Sequence, residues 1–422
     1  DQLALVSAWY WVVNLFLAKR IITLYHAGQK LITKDQHALG SVLLSSASQA
    51  NELPIEISGF GKVVGGYLDD PNLAYQGYED ELSFDSQSLA AIQVDWQVMP
   101  KLSVTTQLLA HSNDNRESGV EWLYLTYEVD DQWQIRLGKQ RTPFFRYSDV
   151  LNVGFAYHWV TPPQQLYNGV LFPTYDGLNI KYRFGTQDVQ ASLEGYWGEF
   201  NDPYIITNLT IQPDIKNFHG LIGNVRWQNL SAQLGFHSGD IDLVLEDLNG
   251  LADILQQAGY QASADSLSTN GNVEVLFAGI AYHDIDYFVE AEVIKLIGEP
   301  IVFPTTSSAY VSAGLYLPPF TIHTTLATSH ASYPPRVNEI PLGLAPQVDQ
   351  LAFAYNQVYA SLVKDSLDSI GIGARYDLSA HFAFKADIIR LRGKQGQRSF
   401  FDNSINNRPA ATLYQFSLEW VF

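Results

Sequence analysis

"ATLYQFSLEWVF", residues 411–422, alternates with period two up to Phe422. Tyr414, Phe416, Leu418, Trp420 and Phe422 share one face, and Gln415, Ser417 and Glu419 share the other. Successive side chains of an extended strand point to opposite faces, so this is a strand apolar on one side and wet on the other. A soluble domain ordinarily lets its terminus fray in water. This pattern reaches the last side chain, as expected of a strand that must pair along its whole length.

The same alternation recurs upstream. "IEISGFGKVVGGY" (residues 55–67), "AIQVDW" (91–96), "QIRLGK" (134–139), "LNIKYRF" (178–184), "VQASLEGYW" (189–197), "FTIHTTLAT" (320–328) and "SIGIGARY" (369–376) all carry it. Sixteen such runs are present, each of about ten residues, the length of a tilted strand that crosses a bilayer. The links between them alternate short and long. Tight links fall at Met99-Pro100-Lys101, Asp130-Asp131, Gly185-Thr186-Gln187, Gln228-Asn229-Leu230, Asp284-Ile285-Asp286, Pro318-Pro319 and Leu378-Ser379. Longer polar links lie around 69–82, 113–118, 141–175, 199–218, 239–270, 298–305, 330–367 and 392–411. Seven short and eight long links are the fifteen that sixteen strands need. The expected fold is therefore all-β: a transmembrane antiparallel β-barrel with short turns on one rim, long loops on the other, and the last strand paired with the first.

Aromatic residues flank the tight turns on the outward face: Trp96, Trp133, Phe184, Trp227, Tyr282, Tyr287, Phe320, Tyr376 and Phe382. Amphipathic rings gather where lipid meets headgroups, so these read as an interfacial girdle. A soluble β-sandwich built on the same rings gives no reason for length-matched strands or asymmetric loops. Composition is neutral on this point, because a barrel averages its apolar and polar faces; 46% of the 422 residues are hydrophobic. The absence of Cys excludes disulfides and cysteine-ligated metal, and a net charge of −19 with no basic stripe excludes nucleic acid as a partner.

Residues 1–50 differ from the rest and read as an N-terminal extension with a signal-peptide-like segment, leaving 51–422 for the barrel. Leu3–Arg20 is apolar and then basic, short for a membrane anchor and interrupted by Asn14. Lys30 and Lys34 precede a second apolar stretch, with Ser48 and Ala50 at the small positions expected before a cleavage site at Ala50–Asn51.

With the terminal "YQFSLEWVF", the early "SGFGKVVGGY", and "IRLGKQRTPFFRYSDV" followed by a long loop and "YDGLNIKYRF", residues 51–422 resemble the general porins of the Gram-negative cell outer membrane. The resemblance implies a homotrimer of sixteen-stranded barrels in contact with the lipid bilayer and lipopolysaccharide, with the third long loop folded into the lumen. The loop here is longer and more aromatic than the short acidic loop of the best-known general porins.

That loop is unusual in its own right. Residues 141–175 hold Phe144, Phe145, Phe155, Tyr157, Trp159 and Tyr167, stiffened by Pro143, Pro162, Pro163 and Pro173. So apolar a segment does not stay extended in water, and the lumen is the natural place for it. It would then set Arg141, Arg146, Asp149 and His158 at a pore constriction. Inward strand positions carry both signs, so Lys62, Asp95, Arg136, Lys181, Arg183, Arg226, Arg375, Lys385 and Asp387 are expected to line the pore. Opposed charges across a wet constriction order water and favour small polar solutes.

The function expected from these residues is passive diffusion of small hydrophilic solutes and ions, with weak cation preference from the acidic excess, no bound cofactor and no chemical step. An alternative is a substrate-specific porin for sugars or carboxylates, with Phe144, Phe145, Tyr157 and Trp159 as an aromatic slide. An outer-membrane phospholipase-like enzyme is a third reading, from "HSNDNRESG" (residues 111–119), but His111 and Ser112 are adjacent and their side chains diverge on a strand. Asp240–Gly259 and Gln350–Asp365 have apolar residues near helical spacing and are expected to form short helices on the outer loops.

Overall fold

The computed structural model describes residues 54–113, 118–167, 173–202, 204–206, 209–402 and 408–422. The signal-peptide-like reading of residues 1–50 lies outside them. The strands are β1 (Ile55–Leu68), β2 (Leu89–Met99), β3 (Leu102–His111), β4 (Gly119–Glu128), β5 (Trp133–Arg141), β6 (Thr174–Gly185), β7 (Val189–Phe200), β8 (Tyr204–Ile206), β9 (Leu209–Ile211), β10 (Asp214–Trp227), β11 (Leu230–Asp242), β12 (Asn270–His283), β13 (Tyr287–Gly298), β14 (Thr305–Leu317), β15 (Phe320–Ser332), β16 (Leu367–Asp377), β17 (Phe382–Gly393) and β18 (Ala410–Val421). β8 and β9 form a small hairpin in a long loop, and the other sixteen close into one antiparallel barrel. No described helix is long and apolar enough to cross a membrane.

Closure happens where the opening sequence pointed. β1 pairs with β18 from Phe60↔Val421 to Leu68↔Leu413. Gly59 and Phe422 then exchange two backbone hydrogen bonds of 2.9 Å, so no edge is left at this end of the seam. The outward glycines of β1 explain the fit. The rings of Trp420 and Phe416 lie across Gly61 and Gly65, where a Cβ would come within 2.3 Å and 2.4 Å of them. A side chain on β1 would push both rings off the seam.

Burial follows the alternation. Lumen-facing Leu413, Gln415, Ser417 and Glu419 are buried while Tyr414, Leu418 and Phe422 are exposed. Around the short turns the outward rings pair, Trp133 with Tyr182 at 4.5 Å, Phe320 with Tyr376 at 4.8 Å and Tyr282 with Tyr287 at 5.8 Å. On the long-loop rim both expected helices form, at Glu246–Gln257 and Pro346–Ser361. With a shorter helix, Gln261–Asp265, they bury Leu255, Ala264, Leu267, Ala352 and Tyr355 in a separate apolar cluster.

Candidate functional site in the lumen

The described part of the third long loop, residues 142–167, sits inside the barrel. Its rings form a continuous core with rings from the wall: Phe144, Phe145, Tyr157, Trp159 and Tyr167 pack with Tyr175, Tyr196, Phe218, Phe277 and Tyr310. Burying this much aromatic surface holds a loop that would otherwise collapse in water. The wall rings occupy inward positions of β6, β7, β10, β12 and β14, where a wet lumen carries polar residues. That departure from a polar lumen is the sequence signal that marks where the loop seats.

Polar anchors fix the loop to β13–β18. The Lys385 ammonium, wholly buried, donates to the carbonyls of Gly154 (2.7 Å) and Trp159 (2.8 Å) and pairs with the Glu419 carboxylate at 2.7 Å. Gly154 has no side chain because a Cβ there would lie 2.7 Å from that carboxylate. Arg375 donates to the carbonyls of Phe155 (2.6 Å) and Tyr157 (3.0 Å). Asp387 accepts the Val160 amide at 2.8 Å and lies 3.2 Å from His323. Trp159 donates its indole N–H to Thr325, and His158 meets Ser312 at 3.0 Å. Tyr147 donates to Glu290, and Tyr167 and Tyr310 donate to Glu292, each at 2.7–2.8 Å. Burial holds the His158 imidazole well below its usual value, with His323 and Lys385 adding to the effect, so the ring is neutral.

These contacts redistribute the expected site residues. His158, Lys385, Asp387 and Lys62 are buried, at 8%, 0%, 3% and 4% exposure, so they do not meet solute. Three of them are fasteners or packing groups of the loop because low-dielectric burial is tolerated only where charges are paired or hydrogen-bonded; Lys62 sits opposite Glu419 in the seam. Arg375 likewise spends its guanidinium on the loop. The supposed aromatic slide is buried too: Phe144, Phe145, Tyr157 and Trp159 are each 3–4% exposed.

The residues that remain open lie elsewhere. A cavity of about 810 Å³ opens on the short-turn side, roofed by Pro143–Val150 of the loop and walled by β6, β7, β10 and β11. Arg146, Lys181, Arg183 and Arg226 line it with Asp149 and Glu194, so cations exceed carboxylates by four to two. Lys181 pairs with Glu194 at 3.1 Å, and Arg183 reaches Glu128 at 3.4 Å. Asp149 is within electrostatic reach of Arg136, Lys181 and Arg141. Arg141 pairs with Glu121, a residue the sequence reading passed over, which also accepts from Asn152 of the loop. Asp95, on the neighbouring wall, accepts from Gln93 and Thr105. The structure thus brings together Arg141, Arg146, Asp149, Arg136, Lys181, Arg183 and Arg226.

At the suspected hydrolase residues, the Ser112 hydroxyl lies 2.7 Å from the Asp85 carbonyl and 2.9 Å from that of Ser88. Its hydrogen is thus directed to the backbone.

No protein-family model matches the sequence, and no curated protein matches it. Solved structures do share its fold. OmpF of Salmonella typhi, in complex with daunomycin, superposes with a TM-score of 0.53 at 10% identity over 87% of this chain and 97% of that one. The anion-selective porin from Comamonas acidovorans gives 0.52 at 12% identity over 87% and 99%. A loop-L8 deletion mutant of OmpT, an outer membrane protein of Vibrio cholerae, gives 0.51 at 11% over 87% and 99%. The chain therefore has the fold of the sixteen-stranded porins, an outer-membrane β-barrel with its third long loop folded into the lumen.

Proposed function

We propose that this barrel is a passive diffusion channel for small hydrophilic solutes and ions, filtering by size and charge with no chemical step. The observation that carries this reading is the space left beside the inward loop: the loop packs on wall rings and polar anchors around the barrel, and a cavity of charged lining stays open on its short-turn side. Groups lining such a space replace part of a solute's hydration and set a local field. The weak cation preference expected from net charge does not carry over, because the cavity lining has the opposite sign. Neither does the aromatic slide, whose rings are turned into the loop core. The Ser112 contacts favour a role in loop structure over hydrolysis.

The homotrimer and lipopolysaccharide contacts remain part of the proposal, supported by the fold alone. Refolded residues 51–422 in a planar bilayer test it. Regular conductance steps, in groups of three for a trimer, are expected. A membrane that stays silent after verified insertion makes the loop a plug and overturns the channel reading.

A further inference from the structure

Resting on the channel reading, the lining of the short-turn cavity names the class of solute it favours. Lys181 and Arg183 are each neutralised by a carboxylate neighbour. Arg146 and Arg226 are not: among the described residues neither guanidinium has a carboxylate within 4.0 Å. The two line the same cavity. Arg146 donates to the Ser231 hydroxyl at 2.9 Å, and Ser231 is the cross-strand partner of Arg226. The nearest acids behind Arg146, Glu290 and Glu292, already accept from Tyr147, Tyr167 and Tyr310. The Ser192, Asn224 and Gln233 side chains line the same cavity and add neutral hydrogen-bonding groups.

We propose that Arg146 of the inward loop and Arg226 of β10 form a docking station for a small carboxylate or phosphate, so that the channel passes anions in preference to cations. A guanidinium presents a planar fork of donors that matches either oxyanion, and an unpaired one has donors to spare. The chain's acidic excess does not cancel this. Exposed acids such as Glu79, Asp80 and Glu81 belong to the first long loop, on the opposite rim. Strands of this length place that rim tens of ångströms away, and charges are screened over about 10 Å at ordinary salt.

The test uses the refolded barrel in a planar bilayer under a KCl gradient, with inorganic phosphate then added to both sides. The parent is expected to reverse on the chloride side, and millimolar phosphate to reduce its chloride current. Arg226→Glu, on an exposed position of the cavity lining, is expected to shift the chloride-to-potassium permeability ratio at least about threefold toward potassium. Arg226→Gln should abolish the phosphate effect. A potassium-selective parent, or an unchanged ratio in Arg226→Glu, overturns the anion station while leaving the channel reading intact. Absence of conductance overturns both. Equal phosphate block in Arg226→Gln and parent sinks the docking role even if chloride preference holds.

Discussion

Replacing Lys385 by Met should unseat the inward loop without opening the barrel. Lys385 and Glu419 both belong to the wall, on β17 and β18, and the seated loop covers them completely. In the parent, seating satisfies the ammonium with two loop carbonyls and one carboxylate. In K385M the seated state buries the Glu419 charge with Ser417, at 2.9 Å, as its donor among the described residues, and strands the Gly154 and Trp159 carbonyls. Release of the loop relieves all three by hydration, so the penalty falls on seating. Breaking a buried pair from one side costs about 3–5 kcal/mol, which is between roughly a hundredfold and several thousandfold in the population of released loop. K385M/E419Q removes the stranded charge and should recover part of this, leaving the carbonyls unsatisfied. The chain contains no Cys, so Val160→Cys, at a wholly buried position of the loop itself, supplies a single reporter thiol. Its modification rate reads the released fraction, while gel migration of the unheated protein checks that the barrel is folded. A rate in K385M within about threefold of the parent, under about 0.7 kcal/mol, refutes the claim that this lysine fastens the loop. Equal rates in K385M and K385M/E419Q would refute the stranded-charge mechanism specifically.

The same thiol should report pH. The neutral His158 of the seated loop resists the proton that a released loop accepts near the ordinary imidazole pKa of about 6.5, so seating is intact above that pH and weakens as pH falls. Between pH 7 and 5 the rate should rise by up to about twentyfold, and His158→Gln should remove that component. Gly61→Val places atoms where the Trp420 ring lies; a loss of about 1–3 kcal/mol is expected, read as a lower temperature for loss of barrel migration, and unchanged thermal stability would discount the seam packing. Trp159→Ala should destabilise loop seating by about 3–5 kcal/mol yet leave sugar flux per open channel unchanged, because the ring faces the loop core; selective loss of sugar flux would restore the aromatic-slide reading.

Much of the barrel was determined by local pattern. Alternation in "FTIHTTLAT" or "YQFSLEWVF" fixes which side chains face lipid, and a hydrocarbon surroundings that offers no hydrogen bonds forces closure of the strands that carry it. Link lengths then set the two rims, and the aromatic prolines-rich loop had nowhere but the lumen to bury its rings. What the sequence could not determine was which inward charges meet water. Period two places Lys181, Arg226, Lys385 and Asp387 on the same side of the wall, yet the loop covers the last two and leaves the first two open. Arg146 and Arg226 line one cavity only because the loop reaches Ser231 on β11, and Glu121 acquires its role only when Arg141 and Asn152 fold toward it. Facing is a local property of a strand, while exposure inside a barrel depends on what else occupies the lumen, and that was decided by tertiary packing.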